Sequence, residues 1–186
     1  MSYYTIGSIV KSSAPILFLT SFIGLFAGQI MNSHLDSLIS YPILLLLIPA
    51  LIKIGGDTGS MLGARLASAF HMGLGTTRIH KNPVVRNSLI AAFIVGIIAS
   101  CFLSVVVWIV GMIVYNGIEF TSLFSISVLA CVVELVIVYA VTLVVAVASH
   151  KFGLDPDDTV IPIIATIGDV VGISAIFGVI ALLEFV

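Results

Sequence analysis

The chain has 186 residues, of which 60% are hydrophobic and only 9% are charged. A water-soluble domain of this size needs far more polar surface, so the composition excludes a soluble globular protein and indicates an integral membrane protein. The net charge is −2 and no run of basic residues occurs, so we expect membrane lipid and no nucleic acid among the partners.

Five long apolar segments follow one another, and we predict an all-α membrane protein with five transmembrane helices. The segments are too long and too uniform to be the short alternating strands of a β-barrel. The predicted spans cover about residues 12–31, 41–73, 88–115, 122–150 and 159–186. We expect one transmembrane domain over residues 1–186, with no soluble domain.

The first two spans contain closely spaced glycines. Gly24 and Gly28 form a G-x-x-x-G pair, which predicts close packing of the first span against another helix, and residues 32–40 form a predicted loop. The second span is too long for a straight crossing. Its Gly55–Gly59 stretch contains poor helix formers, so we predict a helix that is broken or kinked there. Beyond it, residues 59, 63 and 67 form another small-residue face.

The basic residues predict the orientation of the chain. Arg78, His80, Lys81 and Arg86 form the densest basic cluster, which is best placed in the cytoplasm. Five spans then place the N-terminus inside and the C-terminus outside. Within the second span, Lys53 and Arg65 can either extend to a membrane surface or pair with a carboxylate.

Three carboxylates lie at membrane depth: Asp57, Glu134 and Asp169. A charge there costs about 2.5–3.5 kcal/mol unless it faces water, a partner or an ion, so the three acids are candidates for an ion pathway. Alternatively, Asp169 pairs with Lys53 or Arg65 and serves packing alone. Glu134 can equally be a neutral acid that is hydrogen-bonded between helices.

The available ligands favour a hard cation. The histidines and cysteines are scattered, whereas oxygen ligands suit Mg²⁺ or Ca²⁺. Pro162, Thr166, Asp169 and Gly172 recur at helical spacing and predict a pore-facing stripe. Pro49 precedes Gly56-Asp57 much as Pro162 precedes Gly168-Asp169, which is a faint sign of an inverted repeat with a site near the bilayer midplane.

Two segments carry a family resemblance. PALIKIGGDTGSMLGARLASAFHMG (residues 49–73) resembles the signature of the MgtE-related magnesium transporters, especially their eukaryotic solute-carrier branch. DPDDTVIPIIATIGDVVG (residues 155–172) is similar to the second signature of that family. The resemblance implies a divalent-cation transporter with Mg²⁺ as the usual substrate, and Mn²⁺, Co²⁺ or Ca²⁺ as possible others. One five-span unit implies a homodimer with its pore at the two-fold axis.

The resemblance also implies the site residues. Asp169 corresponds to the family's pore-lining acid, which holds Mg²⁺ together with its copy in the partner. Gly56 and Asp57 match the polar turn of the second span, although the family commonly has Asn where this chain has Asp57. We expect Thr166 and carbonyl groups near Ala165 and Gly56 to assist through water. A further metal site would use Glu134 as a secondary ligand, or Asp155, Asp157 and Asp158 at the cytoplasmic mouth.

Other classes of function make different predictions. A cation/proton or cation/Na⁺ exchanger would use Asp169 and Glu134 as coupled carboxylates, and its flux would depend on pH or Na⁺. An enzyme resembling the CDP-alcohol phosphotransferases would need further acids downstream, but none lies between Arg65 and Glu119. A purely structural subunit has no reason to bury three acids. We therefore expect a transporter and no enzyme.

Overall fold

A computed structural model describes residues 5–73, 82–114, 119–154 and 156–183, and throughout these ranges the ordered elements are helices. In chain order they are α1 (Ile6–Ser33), α2 (Leu35–Ser40), α3 (Leu44–His71), α4 (Pro83–Val114), α5 (Phe120–Phe152) and α6 (Pro156–Leu182). Five of the described helices, all except α2, are long and apolar enough to cross a membrane. The prediction of an all-α protein with five transmembrane helices is therefore confirmed. The short helix α2 lies within the predicted loop of residues 32–40.

Helix α3 is continuous from Leu44 to His71, so the predicted break at Gly55–Gly59 is wrong. The glycines in this stretch are buried against α5 and α6 and serve close packing. The hydroxyl group of Thr58, within this stretch, donates a hydrogen bond of 2.6 Å to the carbonyl oxygen of Ile54, one turn earlier. The stretch thus keeps its helical backbone, and the small residues allow neighbouring helices to come near.

Helices α3 and α6 form the centre of the bundle. Helix α6 packs against α1, α3 and α5, while α4 packs against α3 and α5. The core between them is aliphatic, and its largest fully buried side chains include Leu47, Leu51, Leu62, Leu135, Ile164 and Ile176. Because side chains of this kind are as apolar as lipid tails, the association of the helices relies on close packing.

Close packing follows one of the two predicted glycine faces. A Cβ atom at Gly59 would lie 2.5 Å from Val138, and one at Gly63 would lie 2.6 Å from Val160, so the packing face of α3 is confirmed. The prediction for Gly24 and Gly28 is not met among the described residues of this chain, since a Cβ atom at either would meet no described atom within 4 Å. The buried residues of α1 are Thr20 and Ala27 instead.

A tight connection brings α6 back along α5. Gly153 ends α5 in a left-handed conformation with φ of 67°, which glycine adopts without strain. The hydroxyl group of Thr159 then donates a hydrogen bond of 2.9 Å to that of Ser149. This contact fixes the start of α6 against the end of α5 and sets the height at which the centre of α6 lies.

Candidate cation site

Glycines allow α3 and α6 to approach almost backbone to backbone. A Cβ atom at Gly168 would lie 2.8 Å from the Cα atom of Gly56, and one at Gly56 would lie 3.5 Å from the carbonyl oxygen of Ala165. Towards one end of α3, Gly63 faces Val160, and towards the other, Ile52 faces Gly172. This register shows that the two helices run antiparallel.

The crossing brings together two of the predicted site residues. Asp57 follows Gly56 near the midpoint of α3, and Asp169 follows Gly168 at the midpoint of α6. Asp57 is exposed in the single chain, whereas Asp169 is half-buried and lies within electrostatic range of Asp57. The two Gly-Asp dipeptides noted in the sequence therefore meet at the centre of the bundle.

The cation nearest to these acids is Lys53. Its Nζ atom lies 3.3 Å from Oδ1 of Asp57, one helical turn later, and both side chains are more than 60% exposed. The charge of Lys53 also acts on Asp169. Of the two possibilities left open by the sequence, the structure shows pairing with a carboxylate. Within the part of the chain that the structure describes, Asp169 makes no ion pair, so the purely structural pairing with Lys53 or Arg65 is not found.

The remaining members of the predicted stripe differ in what they face. Thr166 is half-buried, and its hydroxyl group donates a hydrogen bond of 2.9 Å to the carbonyl oxygen of Pro162. The carbonyl oxygen of Ala165 faces Gly56. Gly172 is buried and faces Glu134, so this end of the stripe points into the bundle. Thr166 and Asp169 are thus the half-buried members of the stripe that carry side-chain oxygen atoms.

Glu134 occupies a separate place, at the junction of α3, α5 and α6. The residue is fully buried, and neither of its carboxyl oxygens has a hydrogen-bond partner among the described residues. A Cβ atom at Gly55 would collide with its carboxyl group, and one at Gly172 would lie 2.9 Å from Oε1. The expectation of a hydrogen-bonded acid is therefore wrong for the described residues. The carboxyl group of Glu134 lies within electrostatic range of Asp169.

Less can be said of the three acidic residues at the start of α6. Asp155 lies outside the described residues, and Asp157 and Asp158 belong to the first turn of α6, where their side chains are not described. Among the described residues, no group of three or more His, Cys, Asp or Glu side chains is arranged to hold a metal ion. One chain thus brings two carboxylates, the exposed one of Asp57 and the half-buried one of Asp169, within electrostatic range of each other at the crossing.

The comparison with protein families shows which family this chain belongs to. Residues 48–179, more than half of the chain, match the model of a family described as "Divalent cation transporter". The chain belongs to the MgtE family. MgtE proteins are transporters, so the expectation that this chain is not an enzyme is confirmed, and the five apolar helices make it a multi-pass integral membrane protein.

Individual relatives agree with the MgtE assignment. Solute carrier family 41 member 2 of Xenopus laevis is 27% identical over 154 residues, covering 80% of this chain and 27% of the relative. Solute carrier family 41 member 3 of Mus musculus is 22% identical over 172 residues, covering 89% of this chain and 35% of the relative. The chain thus spans about a quarter to a third of the length of these relatives. No solved structure matches it.

Sequence reasoning missed two parts of the site. The first is the role of Gly55, Gly168 and Gly172, which allow the helices around the acids to approach closely. The available signal was that small residues lie next to the acids along the helices or face them. The second is the pairing of Lys53 with Asp57. Their spacing of four residues, the spacing at which helical side chains meet, was the signal that could have decided it.

Proposed function

We propose that two copies of this five-helix MgtE-type domain form a ten-helix homodimer that moves divalent cations, most readily Mg²⁺, across the membrane. The observation that carries the proposal is the α3–α6 crossing at Gly56 and Gly168. It supports a site because two carboxylates lie together at mid-helix height, on a side that the single chain leaves open.

The physical argument begins with the cost of these charges. Carboxylates near the bilayer midplane are stable only when they face water, a counter-charge or protein. Asp57 is exposed in the single chain, so water or a second copy is needed on that side. A two-fold axis beside the crossing would place two copies of Asp169 and Asp57 around one passage. Oxygen ligands of this type suit Mg²⁺ that retains part of its water shell.

The proposed path uses the other site residues in supporting roles. Mg²⁺ enters from outside and is held between the two Asp169 carboxylates. Thr166 and carbonyl groups near Ala165 and Gly56 assist through water. The ion leaves past Asp155, Asp157 and Asp158 at the cytoplasmic mouth. This direction assumes the orientation predicted from the basic residues, with the N-terminus inside and the C-terminus outside.

The test is Mg²⁺ flux into liposomes that contain purified protein, compared between wild type and Asp169→Asn. We expect the variant to lose flux by on the order of tenfold or more, because one negative charge per copy is removed from the passage. Glu119→Gln is the matched control, since it removes one carboxylate at the start of α5, away from the crossing. Equal flux in wild type and Asp169→Asn would contradict the role of Asp169. A wild type that moves no divalent cation would refute the proposal itself.

A second candidate is a cation/proton or cation/Na⁺ exchanger, and the observation that favours it is the unpartnered Glu134 close to Asp169. A buried carboxyl group without a partner can bind and release a proton or another ion during transport. An imposed pH or Na⁺ gradient in the same liposomes separates the two. A channel carries Mg²⁺ along its own electrochemical gradient alone, whereas an exchanger is driven by the second gradient and loses that response in Glu134→Gln.

A further inference from the structure

We propose that Lys53 is a tethered competitor of the transported cation: its ammonium group occupies the carboxylate site at the α3–α6 crossing when no ion is bound, and the ion must displace it. The inference rests on the proposed function, because it assumes that the cation passes Asp57 and Asp169. Lys53 then sets the affinity of the site for the transported cation and selects divalent over monovalent cations.

The geometry places the ammonium group among the oxygens that a cation would use. Nζ lies 3.3 Å from Oδ1 of Asp57, which is the distance of an ion pair. The same charge acts on Asp169, on the opposite helix. Lys53 therefore provides the counter-charge for the acidic pair that a divalent cation would otherwise provide.

Extension of the side chain to a membrane surface does not explain this arrangement. Lys53 lies in the N-terminal half of α3, so the nearer end of the helix is the one at Leu44. A lysine that reached for that surface would point towards Leu44. Instead, its ammonium group contacts Asp57, one turn closer to the middle of the helix. The side chain thus turns towards the acids and away from the nearer end.

The chemistry of lysine suits displacement. Its ammonium group is a compact point charge on a flexible stem, so it can leave the site without movement of α3. Both Lys53 and Asp57 are more than 60% exposed in the single chain, so the other side chains of the same chain leave most of this pair uncovered. A divalent cation interacts with the two carboxylates about twice as strongly as a single charge does. A monovalent cation has no such advantage over Lys53, so the lysine selects for divalent ions.

The experiment compares Mg²⁺ transport by wild type and Lys53→Met in liposomes and measures KM. We expect KM to fall by on the order of tenfold in the variant, because the competing charge is absent. Flux of K⁺ through the variant should rise at low Mg²⁺. Lys53→Arg keeps the positive charge and should give a KM closer to that of wild type than to that of Lys53→Met.

Two further variants separate competition from a general change in charge. Arg65→Met removes a positive charge from the same helix, about 12 Å from Asp57 along the axis compared with about 6 Å for Lys53, and should leave KM unchanged. Asp57→Asn should raise KM in the Lys53→Met background by more than in wild type, because in wild type the substitution also weakens the binding of the competing ammonium group. The effects of the two substitutions must be non-additive if the side chains act on each other.

Binding measured apart from transport distinguishes failure of this inference from failure of the proposed function. The readout is the Mg²⁺ concentration that half-maximally raises the unfolding temperature in detergent. Transport by wild type with equal KM and binding in Lys53→Met overturns the inference and leaves the proposed function standing. Tighter binding in Lys53→Met without transport by either protein supports the inference and refutes the function. Absence of both binding and transport in wild type refutes both.

Discussion

At the scale of single residues, Glu134 sets the spacing of three helices. Its carboxyl group fills the space that Cβ atoms at Gly55 and Gly172 would need. Both glycines are therefore required for steric reasons, because the helices could not otherwise close over a side chain of this length. The group is buried without a hydrogen-bond partner among the described residues, which is costly for folding and points to a role in function.

Gly55→Ala tests this arrangement. We expect it to destabilise the protein by about 1–3 kcal/mol, since the new methyl group overlaps the carboxyl group of Glu134. In a Glu134→Ala background the space is free, and the same substitution should cost little. Unfolding in denaturant, followed by circular dichroism in detergent, measures both differences. Gly24→Ala is the control, because nothing lies within 4 Å of a Cβ atom there. Equal costs in the two backgrounds would contradict the contact.

At the scale of helices, the antiparallel crossing of α3 and α6 positions the acids. Gly56 and Gly168 allow an approach so close that a single methyl group at residue 168 would lie 2.8 Å from the opposing Cα atom. Because backbone atoms cannot rotate away as a side chain can, an added methyl group must separate the two helices. Asp57 and Asp169 would then move apart together with the backbones that carry them.

Gly168→Ala is therefore expected to reduce Mg²⁺ flux by on the order of tenfold while the protein still folds as a membrane helix bundle. Gly178→Ala is the matched control on the same helix, since nothing lies within 4 Å of a Cβ atom at that residue. Flux into liposomes at equal incorporation is the measurement. Normal flux in Gly168→Ala would show that the spacing of α3 and α6 does not determine transport.

At the scale of the whole molecule, the open side of the crossing requires a second surface. One described chain brings two carboxylates and one lysine to this side, at the centre of helices that are long enough to span a membrane. Exposure of these groups to lipid would be unfavourable. In the proposed dimer, a second copy related by a two-fold axis would cover the surface with an identical one and would double the carboxylates around the passage.

The dimer predicts how mixed proteins behave. Wild type and Asp169→Asn are co-reconstituted at equal amounts after exchange of subunits. If each passage needs both copies of Asp169, flux should fall to about a quarter of that of wild type at the same total protein. Flux of one half would indicate that each chain transports independently. Light scattering in detergent should give a protein mass of twice the 19.6 kDa of one chain.

Much of this protein could be predicted from local patterns. The apolar segments alone predicted five helices, and the structure places helices α1, α3, α4, α5 and α6 on them. The depth of Asp169 followed from counting residues along the last span, and Asp169 is indeed at the midpoint of α6. These predictions succeed because helix length and side-chain period depend on neighbouring residues only.

The failures share one physical cause. Gly55–Gly59 predicted a helix break, and Gly24 with Gly28 predicted a packing face. Both predictions are possible for any glycine in a helix, because glycine weakens the helix and also lets another helix approach closely. Which one applies depends on the atoms that lie opposite, and those belong to distant parts of the chain. In α3 the opposite atoms are those of Glu134, Val138 and α6, whereas no described atom lies within 4 Å of a Cβ atom at Gly24 or Gly28.

The sequence by itself determined the membrane environment, the number of helices, the family and the identity of the acids, since composition, length and motif are properties of the chain. Only the tertiary structure decided that Gly56 meets Gly168, that Asp57 approaches Asp169, and that Glu134 is enclosed. Contacts between helices depend on the register in which they pack. That register is set by how the small and large side chains of all the helices fit together, so it cannot be predicted from any single segment.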